Sequence, residues 1–226
     1  VDLEMTVWCS APRDAVPTHL MHAITQNGGL VVGAYEGDDV IGMALAFPAR
    51  RGRRWLLWSH MAGVHPEYQG NNVGFGLKQF QRSWALEHGY ETIGWTYDPL
   101  QRGNANFNLH RLGAISHIYH VNCYGDMTDA INAGLPSDRL EVEWKLRAAR
   151  VRRLATEQRV DNPLIPPPSE SLLLTAAGLC PVIQPRLVVS PYYLEIPYDL
   201  SQLKQQSPAL ALQWRLALRE VLVSAF

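Results

Sequence analysis

The segment VHPEYQGNNVGFGLKQF, residues 64–80, constrains the fold more than any other part of the sequence. The end of an apolar strand is followed by a polar turn, with three glycines and two asparagines within residues 70–76, and then by a helical pattern. Such a turn points unpaired backbone N–H groups and the positive end of the helix dipole at one place, which suits a phosphate. The candidate cradle comprises Gly70, Asn71, Asn72, Gly74 and Gly76. The alternative is a tight strand-to-helix connection with close helix packing and no ligand.

Two well-known phosphate-binding motifs do not fit this turn. It lacks the Gly-Lys-Ser/Thr of a P-loop, and glycines at 70, 74 and 76 do not give the GxGxxG of dinucleotide-binding folds. Asn is among the best non-glycine residues for left-handed backbone. The sequence therefore predicts a left-handed conformation at Asn72, and a helical or extended Asn72 would count against a phosphate-binding turn.

Strand and helix patterns alternate around the turn. In order, the sequence predicts a helix within residues 13–29, a β-hairpin with its turn at 36–39, a buried strand at 55–64, a helix from 75 to 88, a strand at 91–97, a short helix ending at Gly113 and a half-buried strand at 138–146. This order implies a mixed α/β (α+β) fold whose sheet has some parallel pairing.

The proline-rich stretch DNPLIPPPSES marks a boundary near residue 165. We divide the chain into a domain at 1–150, a linker at 151–170 and a carboxyl-terminal extension at 171–226. The extension is expected to add one strand, RLVVSPYYLEI, to the sheet and one helix capped by Ser207, with Pro208 first in the helix. One face of that helix carries Leu210, Trp214, Ala217 and Val221. We expect it to pack on the sheet or on a second subunit.

Composition excludes several classes of partner. With a net charge of -1 and 18% charged residues, no global field favours nucleic acid or a membrane surface, so a small ligand is the default. The three cysteines form no CxxC pair, which predicts no structural metal site and a reducing, cytoplasmic location. The sequence contains no long uncharged apolar run, so it predicts no membrane span. The chain begins at Val1 without Met, which suggests a fragment of a longer product.

The six residues from Gln69 to Gly74 resemble a hallmark of the GNAT acyltransferase superfamily, the Gln/Arg-x-x-Gly-x-Gly/Ala loop between a central strand and a helix. The preceding VHPEY resembles the family's apolar-x-Pro-x-Tyr lead-in, and Asn72 departs from the usual Gly. The stretch ETIGWTYDPLQRGNANFNLHRLGA resembles the strand and short helix that follow the cofactor helix, and Ala105 and Gly113 match that pattern. The resemblance covers about residues 10–146, and the pattern from DPLQRGNANFNLHRLGA onward is similar to a poorly characterised branch of predicted GNAT proteins.

The resemblance implies a GNAT-like, mostly antiparallel central sheet flanked by helices, with the strand-plus-helix extension outside it. It also implies acetyl-CoA or another acyl-CoA as cofactor. The pyrophosphate would lie on the N–H groups of the turn, and the pantetheine arm would pair with the splayed end of the preceding strand. The implied cofactor-binding residues are Ala62, Gly63, Val64, Gln69, Gly70, Asn71, Asn72, Val73, Gly74, Phe75 and Gly76. An amine acceptor, which we expect to be a small molecule, would attack the thioester directly, and a homodimer is left open.

Direct attack needs a base for the amine proton and an acid for the departing thiolate. The family's usual acid, a Tyr on the later helix, is Leu109 in this chain. Candidate acids are Tyr124, Tyr97 and Tyr119. Candidate bases are His60 on the cofactor strand, then Asp98, Glu141 and Glu143. The competing interpretations are a satisfied core histidine at His60 and a solvated strand face at Glu141 and Glu143.

Two functions remain open after these assignments. The first is an acyl-CoA-dependent N-acyltransferase. The second is a non-catalytic acyl-CoA-binding or interaction module that keeps the loop but has lost the acid. Release of free thiol from acetyl-CoA in the presence of amines distinguishes them.

Overall fold

The computed structural model describes residues 1–9, 11–129, 131–156, 166–185 and 191–224. Within these ranges the strands are β1 (Leu30–Glu36), β2 (Asp39–Arg51), β3 (Arg54–Val64), β4 (Thr92–Tyr97), β5 (Ile115–His120), β6 (Arg139–Lys145), β7 (Leu172–Ala177), β8 (Cys180–Ile183) and β9 (Tyr193–Leu194). The helices are α1 (Asp2–Trp8), α2 (Thr18–Gln26), α3 (Val73–Glu87), α4 (Arg102–Ala105), α5 (Ala149–Thr156), α6 (Leu200–Gln206) and α7 (Pro208–Val223), and α4 continues as a π-helical turn at Asn106–Arg111.

In the described ranges a six-stranded sheet with the order β1-β2-β3-β4-β6-β5 forms the centre of the fold. All neighbouring strands are antiparallel except β3 and β4, which are parallel. The predictions of a mostly antiparallel central sheet with some parallel pairing are confirmed. The predicted hairpin is also confirmed, since Glu36 pairs with Asp39 and Gly37 takes the positive φ that a tight turn needs.

Helices cover both faces of the sheet. A Cβ added to Gly42 would meet Val73 and Leu77 of α3, whereas one added to Gly63 would meet Val7 and Trp8 of α1. Gly42 is paired with Val64, the neighbour of Gly63, and successive residues of a strand point to opposite faces. Therefore α3 and α1 lie on opposite sides of the sheet.

Two predicted segments have bounds that shift by more than two residues in the structure. Helix α2 begins only at Thr18, because Pro17 lacks the N–H that a helix interior requires, and it is shorter than the predicted span of 13–29. Residues 151–156, predicted as linker, belong to α5, whose Val151 and Leu154 are buried.

The carboxyl-terminal extension differs most from its prediction. In the described residues, its strands form a separate three-stranded sheet with the order β8-β7-β9, so the expectation that one strand extends the central sheet is wrong. Of the described part of RLVVSPYYLEI, residues 191–196, only Tyr193–Leu194 is a strand, and residues 186–190 lie outside the described residues. Because α6 precedes α7, the prediction of a single helix is also incomplete.

Helix α7 follows its sequence signals closely. Ser207 caps it by accepting a hydrogen bond from Leu210 N, and Pro208 is its first residue. Trp214 and Val221 are buried and join the same apolar cluster as β4 and β6. Arg215 is only 1% exposed and its Nη2 donates to Asp98 Oδ2 at 2.6 Å. The predicted apolar face therefore packs against the core of the central sheet.

Lys78 of α3 is buried in the core, where a lysine is unusual. Its Nζ donates to Ser59 Oγ at 3.1 Å and to Gln81 Oε1 at 2.7 Å, and it lies 3.9 Å from the centroid of the Trp95 ring. Within the described residues, no carboxylate forms an ion pair with it. Burial lowers the pKa of Lys78 to about 7.

We expect Lys78→Met to remove one pH dependence of stability. Between pH values near 7 and 10.5 the unfolded chain holds a proton on Lys78 that the folded protein has lost, so the free energy of unfolding rises with pH. The slope due to this one group reaches at most about 1.4 kcal/mol per pH unit. Chemical denaturation at about pH 7.5 and about pH 9.5 measures it. All other groups titrate alike in the wild type and the variant. An equal change of the free energy of unfolding with pH in the two proteins would therefore contradict the expectation.

Candidate active site

The turn between β3 and α3 has the conformation that the sequence predicts. Asn72 is left-handed, with φ 62° and ψ 6°, so this prediction is confirmed. Gly70 also has a positive φ, of 82°. The Gln69 side chain donates through Nε2 to Val64 O at 3.1 Å, which ties the start of the turn to the end of β3. The chain thus reverses from strand to helix through two left-handed residues.

The backbone N–H groups of residues 70–75 lack a hydrogen-bond partner in the part of the chain that the structure describes. Among the described residues, no oxygen lies in hydrogen-bonding geometry to any of them, and Gly76 N is the first to bond, to Asn72 O at 2.9 Å. They stand at the amino end of a 15-residue helix, where the dipole is positive. The turn is therefore a concentrated, unsatisfied set of hydrogen-bond donors, which suits an anion with several acceptor oxygens.

The space around the glycines argues against the simpler interpretation of close helix packing. A Cβ added to Gly70 or Gly76 would meet no described atom within 4 Å, and one added to Gly74 would make ordinary contacts with Val64 at 3.6 Å and Phe107 at 4.0 Å. Packing inside the protein therefore does not require glycine at 74 or 76. Their lack of side chains leaves the donors open to an external group.

A gap opens in the sheet beside this turn. In the described structure, β3 and β4 pair only at Leu57–Ile93 and Trp58–Gly94. Toward β2, Ser59 pairs with Ala46 and Met61 with Leu45, which leaves His60 as an extra residue in a β-bulge. Beyond the bulge, residues 62–64 stay paired with β2 while their other edge has no partner strand. The predicted splayed end of β3 is therefore present, next to the donor-rich turn.

His60 lies on the bulge and is exposed, so the alternative of a satisfied core histidine does not fit. Its ring is 5.7 Å from the ring of Phe47. Partial desolvation lowers the pKa of His60 below its usual 6.5, and the negative charge of Glu4 opposes this with a smaller raising effect. His60 is therefore mostly neutral at neutral pH, as a base must be.

Glu4 of α1 is a residue that sequence reasoning missed. It is 2% exposed and Oε1 accepts a hydrogen bond from Val16 N at 2.9 Å. Its Oε2 is buried without a hydrogen-bond partner among the described residues. A polar residue in a short amino-terminal helix gives no sequence signal of such burial, since the burial comes from packing against β2 and β3.

Tyr124 lies on the loop after β5 and reaches the free end of β4. Its hydroxyl is 2.7 Å from Thr96 Oγ1, and either group can be the donor. Thr96 follows the last residues of β4 that pair with β3, so the hydroxyl pair lies beside the strand gap. Sequence reasoning proposed Tyr124 but missed Thr96, because the two are brought together only by the fold.

The other candidate acids and Asp98 are engaged elsewhere. Tyr97 is buried, and burial raises its pKa far above 10. Burial also raises the pKa of Tyr119, and the hydrogen bond that Tyr119 donates to Asp138 Oδ2 raises it further. Asp98 accepts hydrogen bonds from Arg215 and from Leu100 N, which favours a structural role. Of the three candidate tyrosines, Tyr124 is the one whose side chain is half exposed and whose hydroxyl lies beside the strand gap.

The expectation of a solvated face is wrong for Glu141 and fits Glu143 better. Glu141 is 8% exposed, with Oε2 2.8 Å from His120 Nε2 and Oε1 3.5 Å from Arg51 Nε. Glu143 is more exposed and lies 3.8 Å from Lys145 Nζ. The alternation of β6 predicts which face these residues occupy, but it cannot predict that β5 brings His120 over one of them. The contact between His120 and Glu141 is therefore one that the sequence did not reveal.

None of the helices in the described ranges combines the length and apolar character needed to cross a bilayer. Among the same residues, no group of three or more His, Cys, Asp or Glu is arranged to hold a metal ion.

The fold and site define a mixed α/β protein with a donor-rich turn beside a gap in its sheet. Residues 3–114 match the family model described as acetyltransferase (GNAT) family. This region includes the gap, the bulge and the donor-rich turn. The chain belongs to the GNAT acetyltransferase superfamily. A search of the curated proteins found no match.

The structure is similar to several solved acetyltransferases at low sequence identity. One is a GNAT family acetyltransferase from Elizabethkingia anophelis with acetyl-CoA bound, at 13% identity, a TM-score of 0.48 and coverage of 64% of this chain and 88% of that chain. Another is the ribosomal-protein-S18-alanine N-acetyltransferase from Escherichia coli, at 12% identity, a TM-score of 0.49 and coverage of 66% and 88%. A third is the IAA acetyltransferase from Bacillus cereus, at 12% identity, a TM-score of 0.47 and coverage of 63% and 91%.

We expect Asn72→Ala to destabilise the protein and Asn72→Gly to leave it as stable or more so. The Asn72 side chain makes no capping hydrogen bond, so the variants differ mainly in the cost of the left-handed backbone. That cost is about 1 kcal/mol for Ala. Urea denaturation of the two variants measures it, and equal stabilities would show that the left-handed conformation is not the native one.

Proposed function

We propose that this protein transfers an acyl group from an acyl-CoA to an amine. Membership of the GNAT superfamily supports this reaction class. The observation that carries the proposal is the set of unsatisfied N–H groups at residues 70–75, open to an external anion and adjacent to a gap between β3 and β4. A pyrophosphate on the turn and an extended arm in the gap account for both features with one ligand.

The residues present fit an acyl-CoA. Five or six backbone donors around Gly70 and Asn72 would hold the pyrophosphate, because both residues already have the left-handed backbone that turns the N–H groups outward. The free edge of β3 at Ala62, Gly63 and Val64 would pair with the amides of the pantetheine arm as a neighbouring strand does. Acyl-CoA, when bound, supplies the acyl group as a thioester.

His60 and Tyr124 would move the two protons of the transfer. The neutral imidazole of His60 takes a proton from the attacking amine nitrogen as the new N–C bond forms. The hydroxyl of Tyr124 donates a proton to the sulfur as the C–S bond breaks, and Thr96 Oγ1, at 2.7 Å, can donate to the phenolate oxygen that remains. A backbone N–H on the free edge of β3 would stabilise the charge that develops on the carbonyl oxygen.

The acceptor would approach from the face of the sheet that carries His60 and Thr96, opposite α3. This face also carries the ion pairs of Glu141 and Glu143, so it is polar rather than apolar. A polar surface of mixed charge suits a hydrophilic small-molecule amine, which we propose as the acceptor class. We also propose that residues 171–226 are an extension of the same catalytic domain.

The proposal is tested by free-thiol release from acetyl-CoA with a panel of amines, together with calorimetric binding of CoA. We expect saturable CoA binding and amine-dependent release of thiol. Gly70→Val should weaken CoA binding by about tenfold or more, because a side chain fills the cradle. Gly52→Val is the matched control, since Gly52 also has a positive φ and open space, but lies in the distant β2–β3 turn.

Two outcomes of that experiment contradict the proposal. Binding of CoA without thiol release across a broad panel would leave only a non-catalytic acyl-CoA-binding module. The absence of catalysis would then be explained by Leu109, which occupies the family's usual Tyr position. Absence of CoA binding would refute both functions.

We expect His60→Gln to lower kcat/KM by about 10²-fold and to change its pH dependence. Since desolvation lowers the pKa of His60 below 6.5, wild-type activity should stay constant near neutral pH and fall as pH drops through that lower value. The variant should lose this acidic limb. His88→Gln is the control, because His88 is exposed and stacks on Trp84 at the far end of α3. An unchanged acidic limb in the His60 variant would exclude it as the base.

A further inference from the structure

Helix α7 lies outside the part of the chain that matches the family model, yet it makes one of the most complete polar contacts in the fold. Arg219 donates to both oxygens of Asp138, from Nε to Oδ2 at 2.8 Å and from Nη2 to Oδ1 at 2.8 Å. The bidentate geometry fixes the direction as well as the distance of the pair. The Asp138 carboxylate is fully buried, whereas the Arg219 side chain is 26% exposed, so the contact lies at the edge of the interior.

Asp138 also holds the loop that follows β5. Its Oδ1 accepts a hydrogen bond from Asn122 N at 2.9 Å and its Oδ2 accepts one from Tyr119 at 2.7 Å. Burial alone would raise the pKa of Asp138, but the hydrogen bonds from Arg219, Asn122 N and Tyr119 outweigh it and lower the pKa. The carboxylate therefore remains charged and keeps all four bonds at neutral pH.

The neighbouring residue, Ser137, extends this network to Tyr124. Ser137 Oγ accepts a hydrogen bond from Tyr124 N at 2.9 Å and Ser137 O accepts one from Cys123 N at 3.0 Å. Asn122, with a left-handed φ of 47°, accepts from Ser137 N and turns the chain back toward β6. The loop at residues 121–125 is thus held along its backbone by two consecutive residues, Ser137 and Asp138.

At the end of this network is the hydroxyl pair of Tyr124 and Thr96. The Tyr124 ring is half exposed and is supported by the Arg139 guanidinium, 5.5 Å from its centroid. An exposed ring has few packing contacts to fix it, so the backbone of the loop decides where its hydroxyl lies. Hydrogen bonds and the covalent chain of the loop together therefore connect Arg219 of α7, through Asp138 and Tyr124, to the free end of β4.

We propose that Arg219 is a positioning residue for proton transfer, and that α7 completes a catalytic site whose family tyrosine is replaced by Leu109. Arg219 fixes Asp138, Asp138 and Ser137 fix the loop, and the loop holds the Tyr124 hydroxyl beside the strand gap. The inference rests on the proposed function, because the position of Tyr124 affects the rate only if the departing sulfur needs its proton.

We expect Arg219→Leu to lower kcat for acetyl transfer by about tenfold with little change in KM for acetyl-CoA, because the cofactor turn is not part of this network. Tyr124→Phe should lower kcat by about 10²-fold. In the double variant the losses should not multiply, since a displaced Tyr124 and an absent hydroxyl remove the same proton donor. Multiplied losses, or an unchanged kcat in Arg219→Leu, would overturn the inference.

Leu218→Ala is the matched control for loss of stability. Leu218 is buried one residue before Arg219 and joins the apolar core, so its truncation loosens α7 without touching Asp138. Hydrogen exchange of residues 121–126 gives a readout that does not depend on activity. Exchange should rise in Arg219→Leu and remain low in Leu218→Ala. Equal effects of the two variants on kcat and on exchange would show that α7 acts only through stability.

A second variant and the exchange measurement distinguish failure of the inference from failure to fold and from failure of the proposed function. If Arg219→Leu does not fold, Arg219→Lys, which keeps the charge but cannot make the bidentate contact, replaces it with a smaller expected loss of kcat. An unchanged kcat together with unchanged exchange in this variant would also overturn the inference. If the wild type transfers no acyl group, the proposed function fails and the catalytic part of this inference fails with it. Hydrogen exchange of the loop then still decides whether Arg219 positions it.

Discussion

The early separation of β3 from β4 is the constraint on which the rest of the structure depends. Within the part of the chain that the structure describes, only two residue pairs join the half-sheet of β1, β2 and β3 to that of β4, β6 and β5. The bulge at His60 turns the free edge of β3 away from β4, so the ladder cannot close the gap. Side chains of α3 hold the two halves together instead. Lys78 contacts Ser59 on one side of the gap and Trp95 on the other, at the cost of burying an amine.

The gap and the turn are consequences of the same geometry. Because β3 continues past the point of separation paired with β2 but not with β4, its end delivers the chain to the turn on the open side of the sheet, and α3 then runs back beneath the gap. The amino end of α3, with its unsatisfied donors, therefore faces the same opening as the free edge of β3. An extended ligand with an anionic part matches both surfaces at once, and neither surface alone would specify it.

Local signals in the sequence predicted much of this arrangement. Gly70 and Asn72 specify the left-handed turn, Gly37 specifies the hairpin and Ser207 with Pro208 specifies the start of α7, since each acts through its own backbone. Contacts between distant residues were not predictable. Arg215 and Asp98 are 117 residues apart, and the pairing of β5 with β6 that brings His120 to Glu141 depends on the whole sheet. The sequence offers Asp98 as a candidate base, but it gives no signal of Arg215, the ion-pair partner of Asp98 in the structure.

The same long-range contacts explain why the carboxyl-terminal segment cannot be a passive appendage. Arg215 and Arg219 are four residues apart and so project from one side of α7. They reach Asp98, just after β4, and Asp138, just before β6, and these two strands are antiparallel neighbours, so both carboxylates lie at the same end of the pair. Both are buried, and a buried carboxylate that loses its partner costs about 3–5 kcal/mol. This half of the sheet therefore carries two buried carboxylates whose arginine partners both lie on α7, so loss of α7 would destabilise the central sheet as well as the extension.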